Sequence, residues 1–271
     1  MSLSVVALMG IALTRILISD TRFVSLQEAM LTSRQAARAA LNTLLPELET
    51  VADTIVIATR DSFEIRVPIA FGITCRALSA SVRIVSFLPV DSVAWVSLDT
   101  TGMLWRQRSG RYQRVNPTSI AITSTAADSG QCKADSVRML AGGKLVKLSG
   151  LTVQYDSLQV AMVYSRITYK FAASTDLPGR IGLWRKTYLG NWEELVAPFD
   201  TSARFAYLMG GPNSANLTVR TSTLSTTAER DSVRGIELWL YAASVKSPQG
   251  TSVPLVFRLK TRVRFANRQG V

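Results

Sequence analysis

The chain opens on MSLSVVALMGIALTRILISDTRF, which is apolar almost all round until Arg15. A helix crossing a bilayer takes about 20 apolar residues at 1.5 Å each, so this run is short by roughly a third. Beyond Arg15 the polarity changes but a helical period persists. Phe23, Leu26, Met30, Ala37, Leu41, Leu44, Leu48 and Val51 recur at steps of three, four or seven, with Arg22, Glu28, Arg34, Arg38 and Glu47 mostly between them. The pattern predicts one helix from about Ser2 to Glu49, roughly 70 Å long. Pro46 marks a kink or an ending, because it lacks a backbone donor. Residues 1–19 form an apolar half that must meet lipid or other helices, and residues 20–52 an amphipathic half that docks on a domain.

From Asp53 the period drops to two. Phe63, Ile65 and Val67 alternate with Glu64 and Arg66; Val163, Ile167, Tyr169 and Phe171 share one face; Ile236, Leu238 and Leu240 alternate with Glu237, Trp239 and Tyr241. In FRLKTRVRF, Phe257, Leu259, Val263 and Phe265 fall on one side and Arg258, Lys260, Arg262 and Arg264 on the other. Glycine, proline and asparagine turns separate these runs. The expected fold is α+β, a long N-terminal helix followed by an antiparallel, β-rich head over residues 53–271, with a softer boundary near 142–150. TSTLSTT at 221–227 and PNSAN at 212–216 are the candidates for a mobile surface loop.

Composition narrows the chemistry. With 271 residues and 47% hydrophobic content, a sizeable core is affordable, and the 18% charged share favours strands over solvated helices. The chain has no histidine, which removes imidazole general bases, Ser-His-Asp and Cys-His arrangements, and His-ligated zinc. Cys75 and Cys132 are too few for a cysteine-only zinc site and are not spaced as a redox CxxC pair, leaving a disulfide or two inert thiols. Glu193-Glu194 is a poor acid/base dyad, since neighbours in a strand face opposite ways. No P-loop, EF-hand, GxSxG or dinucleotide motif occurs, so no enzyme, cofactor or metal centre is expected.

The 31 Lys plus Arg outnumber the 19 Asp plus Glu, for a net charge of +12. Such a balance suits nucleic acid, anionic lipid or an acidic partner, yet it is common on exported surface proteins. In WRQRSGRYQR, Arg106, Arg108, Arg111 and Arg114 flank a Ser109-Gly110 turn. A solvated hairpin is the favoured reading and contact with DNA phosphates the sharper one. The outer cations of FRLKTRVRF are read the same way, with an acidic neighbouring subunit as the intermediate case. Arg15 sits where an apolar helix leaves lipid and is read as snorkelling to the interface.

RFVSLQEAMLTSRQAARAALNTLLPELE resembles the helix of PilW-type minor pilins of the type IV pilin-like family. Three later pieces follow in the family's order: ITYKF with GLWRKTYLGNWEELVAPF, then ARFAYL, then VRGIELWLYAAS with the terminal VRFANR. The resemblance implies a pilin-like fold and a minor pilin that helps to initiate or cap a type IV pilus. It implies residence in the inner membrane with a periplasmic head, then in the pilus at the cell surface. Partners would be other minor pilins, the major pilin, the assembly platform and the membrane itself. Val5, Val6, Leu8, Met9, Ile11, Leu13, Ile16 and Leu17 would face lipid before assembly and neighbouring helices afterwards. Outside the cytoplasm, a Cys75–Cys132 disulfide is favoured. Prepilins carry a basic leader, a Gly-Phe junction and a glutamate at the fifth mature position. That motif does not occur ahead of the apolar run here, so the true start is expected upstream. A J-type pseudopilin of a type II secretion system is the nearest alternative. A membrane-anchored β-sandwich binding DNA or carbohydrate is the other.

Overall fold

The computed structural model describes residues 2–51, 53–92, 102–107, 112–115, 117–152, 156–211, 214 and 216–265, and in the first helix the side chains of 9, 10 and 13–50. Helix α1 spans Ser2–Thr50. Its 49 residues make a rod of about 74 Å. Pro46 lies inside it, and the helix stops one turn later. Leu48 and Val51 are fully buried, so packing holds the last turn despite the donor that proline removes.

The docked face of α1 follows the expected stripe at Ala37, Leu44, Leu48 and Val51 and departs from it toward the front. Phe23 is 60% exposed and Leu26 38%, whereas Ala29, Ser33, Ala36, Ala37, Ala40, Leu44 and Leu48 are buried. The period is as expected, but small side chains occupy the seam. They let the helix backbone come close to the strands beneath, and the Ser33 hydroxyl is satisfied within the helix by the Met30 carbonyl at 3.0 Å. Phe23 precedes the docked stretch and finds no cover.

The strands are β1 (Ile57–Ala58), β2 (Ser62–Thr74), β3 (Val82–Phe87), β4 (Gly102–Arg106), β5 (Tyr112–Val115), β6 (Ser119–Thr123), β7 (Lys144–Ser149), β8 (Val160–Ala173), β9 (Ile181–Thr187), β10 (Glu193–Phe199), β11 (Arg204–Met209), β12 (Thr218–Arg220), β13 (Val233–Ala243) and β14 (Val256–Arg264). Short helices also intervene, among them α2 (Ala126–Ala134) and α3 (Thr227–Asp231). The sheet runs β12-β11-β13-β10-β9-β8-β2-β3-β7-β6, with β1 beside β2, β14 beside β13, and β4 between β5 and β8. The pairings are antiparallel.

The long pair β2 and β8 joins two cores. Toward α1, Phe63, Ile65 and Val67 of β2 and Ile167, Tyr169 and Phe171 of β8 pack with Phe205, Leu238 and Leu240. Toward the other end, Ala70 and Val163 pack with Phe87, Trp105, Val146 and Leu148. Strand β8 keeps strict alternation between the two, but the register of β2 shifts between Pro68 and Ala70. That extra residue converts an odd-numbered inward set into an even-numbered one. Residues 142–150 form the turn into β7 and β7 itself, inside the second core.

One local expectation is corrected. TSTLSTT is not a free loop: Leu224 is 2% exposed in the first core, and Thr226 caps α3 in a reciprocal capping box with Glu229. Of PNSAN, only residues 214 and 216 are described. Cys132 lies on helix α2. The Thr125 side chain caps that helix by accepting from the Asp128 N–H, and burial of Asp128 and Cys132 holds it despite an internal glycine.

Candidate functional site

The described apolar positions at the front of α1 are open to solvent. Met9, Leu13, Ile16 and Leu17 are 60 to 65% exposed. Arg15 between them is exposed too. The expected positions Val5, Val6, Leu8 and Ile11 lie outside the described side chains. Among the described residues no helix is long and apolar enough to cross a membrane.

Where the rod meets the head, polar contacts at two places fix it. The Gln249 N–H donates to the Ser25 hydroxyl at 3.0 Å, so the β13–β14 connection marks where docking begins. Near the other end, Glu47 accepts from the Tyr169 hydroxyl at 2.6 Å and from the Arg185 guanidinium at 2.8 Å. Burial and the Glu47 carboxylate push the Tyr169 hydroxyl far above its ordinary value, which keeps it a donor. Glu47 was legible only as a polar position between the apolar ones; the structure separates it from Glu49, which is exposed. Glu193 and Glu194 separate likewise. Glu194, on β10, accepts from the backbone and hydroxyl of Thr175, both at 2.8 Å, and so holds the β8–β9 turn.

Cys75 and Cys132 are bonded to each other, and both are fully buried. Their bridge pins α2 to the end of β2, beside Ile84 and Val137. In the WRQRSGRYQR hairpin, Arg106 pairs opposite Tyr112 and Leu104 opposite Arg114. Arg106 and Arg114 are exposed on one face of the hairpin. Arg108 and Arg111 lie outside the described residues.

The charged outer face of β14 is more ordered than its alternation indicates. Register places Trp239 of β13 directly opposite Arg204 of β11 on one side and Lys260 of β14 on the other. The Arg204 guanidinium carbon lies 3.5 Å from the ring centroid and the Lys260 ammonium 4.4 Å, so cations cover the indole from both neighbouring strands. One step along, Glu237 faces Arg262. It accepts from Arg262 at 2.6 Å and from the Trp239 indole at 2.7 Å, and pairs with Lys260 at 3.0 Å. Burial pushes the Glu237 carboxyl up, but these donors outweigh burial and hold it below its ordinary value. A second cluster of this kind puts Lys170 3.8 Å from the Trp192 centroid, with Lys186 at 6.0 Å.

Sequence reasoning missed this arrangement because it depends on which strands are neighbours. The signal was present in the alternation of ELWLY against RLKTRVR, but only the antiparallel register brings Trp239 beside Lys260. Among the described residues, no group of three or more Cys, Asp or Glu side chains gathers to hold a metal. No protein-family model, curated protein or solved structure matches this chain.

Proposed function

We propose that the chain is a filament subunit of type IV pilin-like design, a minor pilin of PilW type, and not an enzyme. One observation carries the reading. A 49-residue helix buries only its latter half against its own head, and the described apolar positions ahead of Ser25 stand clear of it. Met9, Leu13, Ile16, Leu17 and Phe23 stand exposed on a single rod and, among the described residues, join neither core. In this reading the rod rests in the inner membrane before assembly, where helical hydrogen bonding satisfies its backbone, and packs among neighbouring helices in a filament afterwards. The resemblance of RFVSLQEAMLTSRQAARAAL and the later strand segments supplies the family; the free apolar rod supplies the physical motive.

The head then sets position and selects partners, which are other minor pilins, the major pilin and the assembly platform. Its disulfide suits an oxidising periplasm. The test is the N-terminal sequence and mass of the protein from native membranes, together with its presence in sheared filaments. A methylated terminus upstream of Met1 and recovery in filaments are expected. An intact Met1 terminus and absence from filaments would sink the reading.

A further inference from the structure

We infer that the outer face of β11, β13 and β14 is a docking surface for the phosphodiester backbone of nucleic acid. The face opposes α1: Leu238 and Leu240 of β13 point into the first core, so Glu237, Trp239 and Tyr241 point away from it. Across from them on β14 stand Arg262, Lys260 and Arg258 in that order.

What solvent meets on this face is cationic. The Glu237 side chain is 1% exposed, whereas Lys260 is 48% and Arg262 61% exposed. The carboxylate lies beneath its partners and fixes them in place, while their outward sides remain free to meet an anion. Such a site is ordered before the ligand arrives, which reduces the entropy lost on binding.

The spacing suits a polymer more than a single ion. Alternate residues on an antiparallel strand stand about 6.8 Å apart, so Arg258, Lys260, Arg262 and Arg264 form a row about 20 Å long. A chain bearing one charge per repeat can meet several of these together. A phosphodiester backbone carries one such charge on every nucleotide along its whole length, which suits it to this row. Among the described strands, β14 pairs only with β13, so the row lies at the margin of the sheet where an elongated ligand can reach it.

The aromatic residues define how the polymer is held. Base stacking requires an open ring face. Trp239 has Arg204 and Lys260 over it, and the Arg258 guanidinium lies 5.7 Å from the Tyr241 centroid. The rings therefore orient cations and leave bases unread. Binding is sequence-independent and acts through phosphates.

The experiment is fluorescence anisotropy of a labelled mixed-sequence duplex with the full chain in detergent, repeated across a potassium chloride series. Three to four phosphate contacts give a slope of log K against log salt of about −3 to −4. Arg258→Gln and Arg264→Gln leave the Glu237 cluster intact. Each should weaken binding about five- to tenfold near 0.1 M salt and reduce the slope by about one. Arg106→Gln and Arg114→Gln on the hairpin should change neither. Unchanged binding in both sheet variants, or losses confined to the hairpin variants, would overturn the assignment. So would absence of duplex binding while polyglutamate binds, since that outcome identifies an acidic protein partner. Circular dichroism melts of all four variants must match the parent, separating lost contacts from lost folding.

Discussion

The Tyr169 hydroxyl donates to Glu47 across 2.6 Å, joining the last turn of α1 to the strand shared by both cores. Arg185 takes the other carboxylate oxygen at 2.8 Å. Replacing Glu47 with alanine strands a buried hydroxyl and a largely buried guanidinium. The expected loss is about 2 to 3 kcal/mol, or about 5 to 10 °C in melting temperature. Glu49→Ala, at an exposed position, should stay within about 0.5 kcal/mol. Thermal melts of the two variants test the difference.

The close seam of α1 makes a second prediction. Ala37 and Ala40 are fully buried where the helix meets the sheet. Ala37→Leu should cost about 1 to 3 kcal/mol, because the added methylenes must push the rod outward or adopt poor rotamers. Leu17→Ser, on a 60% exposed position, should leave the urea midpoint of the head unchanged. If the pilin reading holds, the same Leu17→Ser change should still prevent recovery in filaments.

The Cys75–Cys132 bridge spans 57 residues of sequence. Chain-entropy arguments give it about 4 kcal/mol. Reductant should lower the urea midpoint accordingly. A Cys75→Ala/Cys132→Ala double variant should match the reduced protein and be insensitive to further reductant.

Acid should loosen the outer sheet face. Glu237 is held below its ordinary carboxyl value of 4.5 in the folded chain. The unfolded carboxyl therefore binds its proton first as pH falls, and the folded state loses this stabilisation as pH drops below about 4.5 and through the folded value. Asp128, held down chiefly by the hydrogen bond from Thr123, acts in the same direction. Denaturation midpoints between about pH 7 and pH 3 should be flat, as far as these groups are concerned, above about pH 5 and fall below it. Glu237→Gln should start from a lower midpoint and show a shallower acid limb.

Periodicity made much of the architecture legible. A 3.6-residue period announced α1, and alternation placed Phe63, Ile65, Ile236, Leu238 and the inward set of β14 correctly. The docked helix face was legible at Ala37, Leu44, Leu48 and Val51 but not at its front, because hydrophobicity ranks Phe23 and Leu26 above Ala29 and Ala36, whereas close approach to a sheet selects the smaller side chains. Loop-like composition concealed α2 and the anchor at Leu224, where capping and burial override propensity. The cation–aromatic face escaped notice because its parts come from β11, β13 and β14, separated in sequence and united only by register.

The route from helix to sheet also has a mechanical meaning. Beyond Thr50 the chain passes the short strand β1 and enters β2, which is paired with β8 through most of its length and flanked by β1 and β3 at its ends. A pull on the rod is thus delivered to the middle of the head. An edge strand can be peeled away one hydrogen bond at a time, whereas an interior strand gives way only when neighbours on both sides release it. A rod grafted onto the centre of its sheet can drag the whole head behind it.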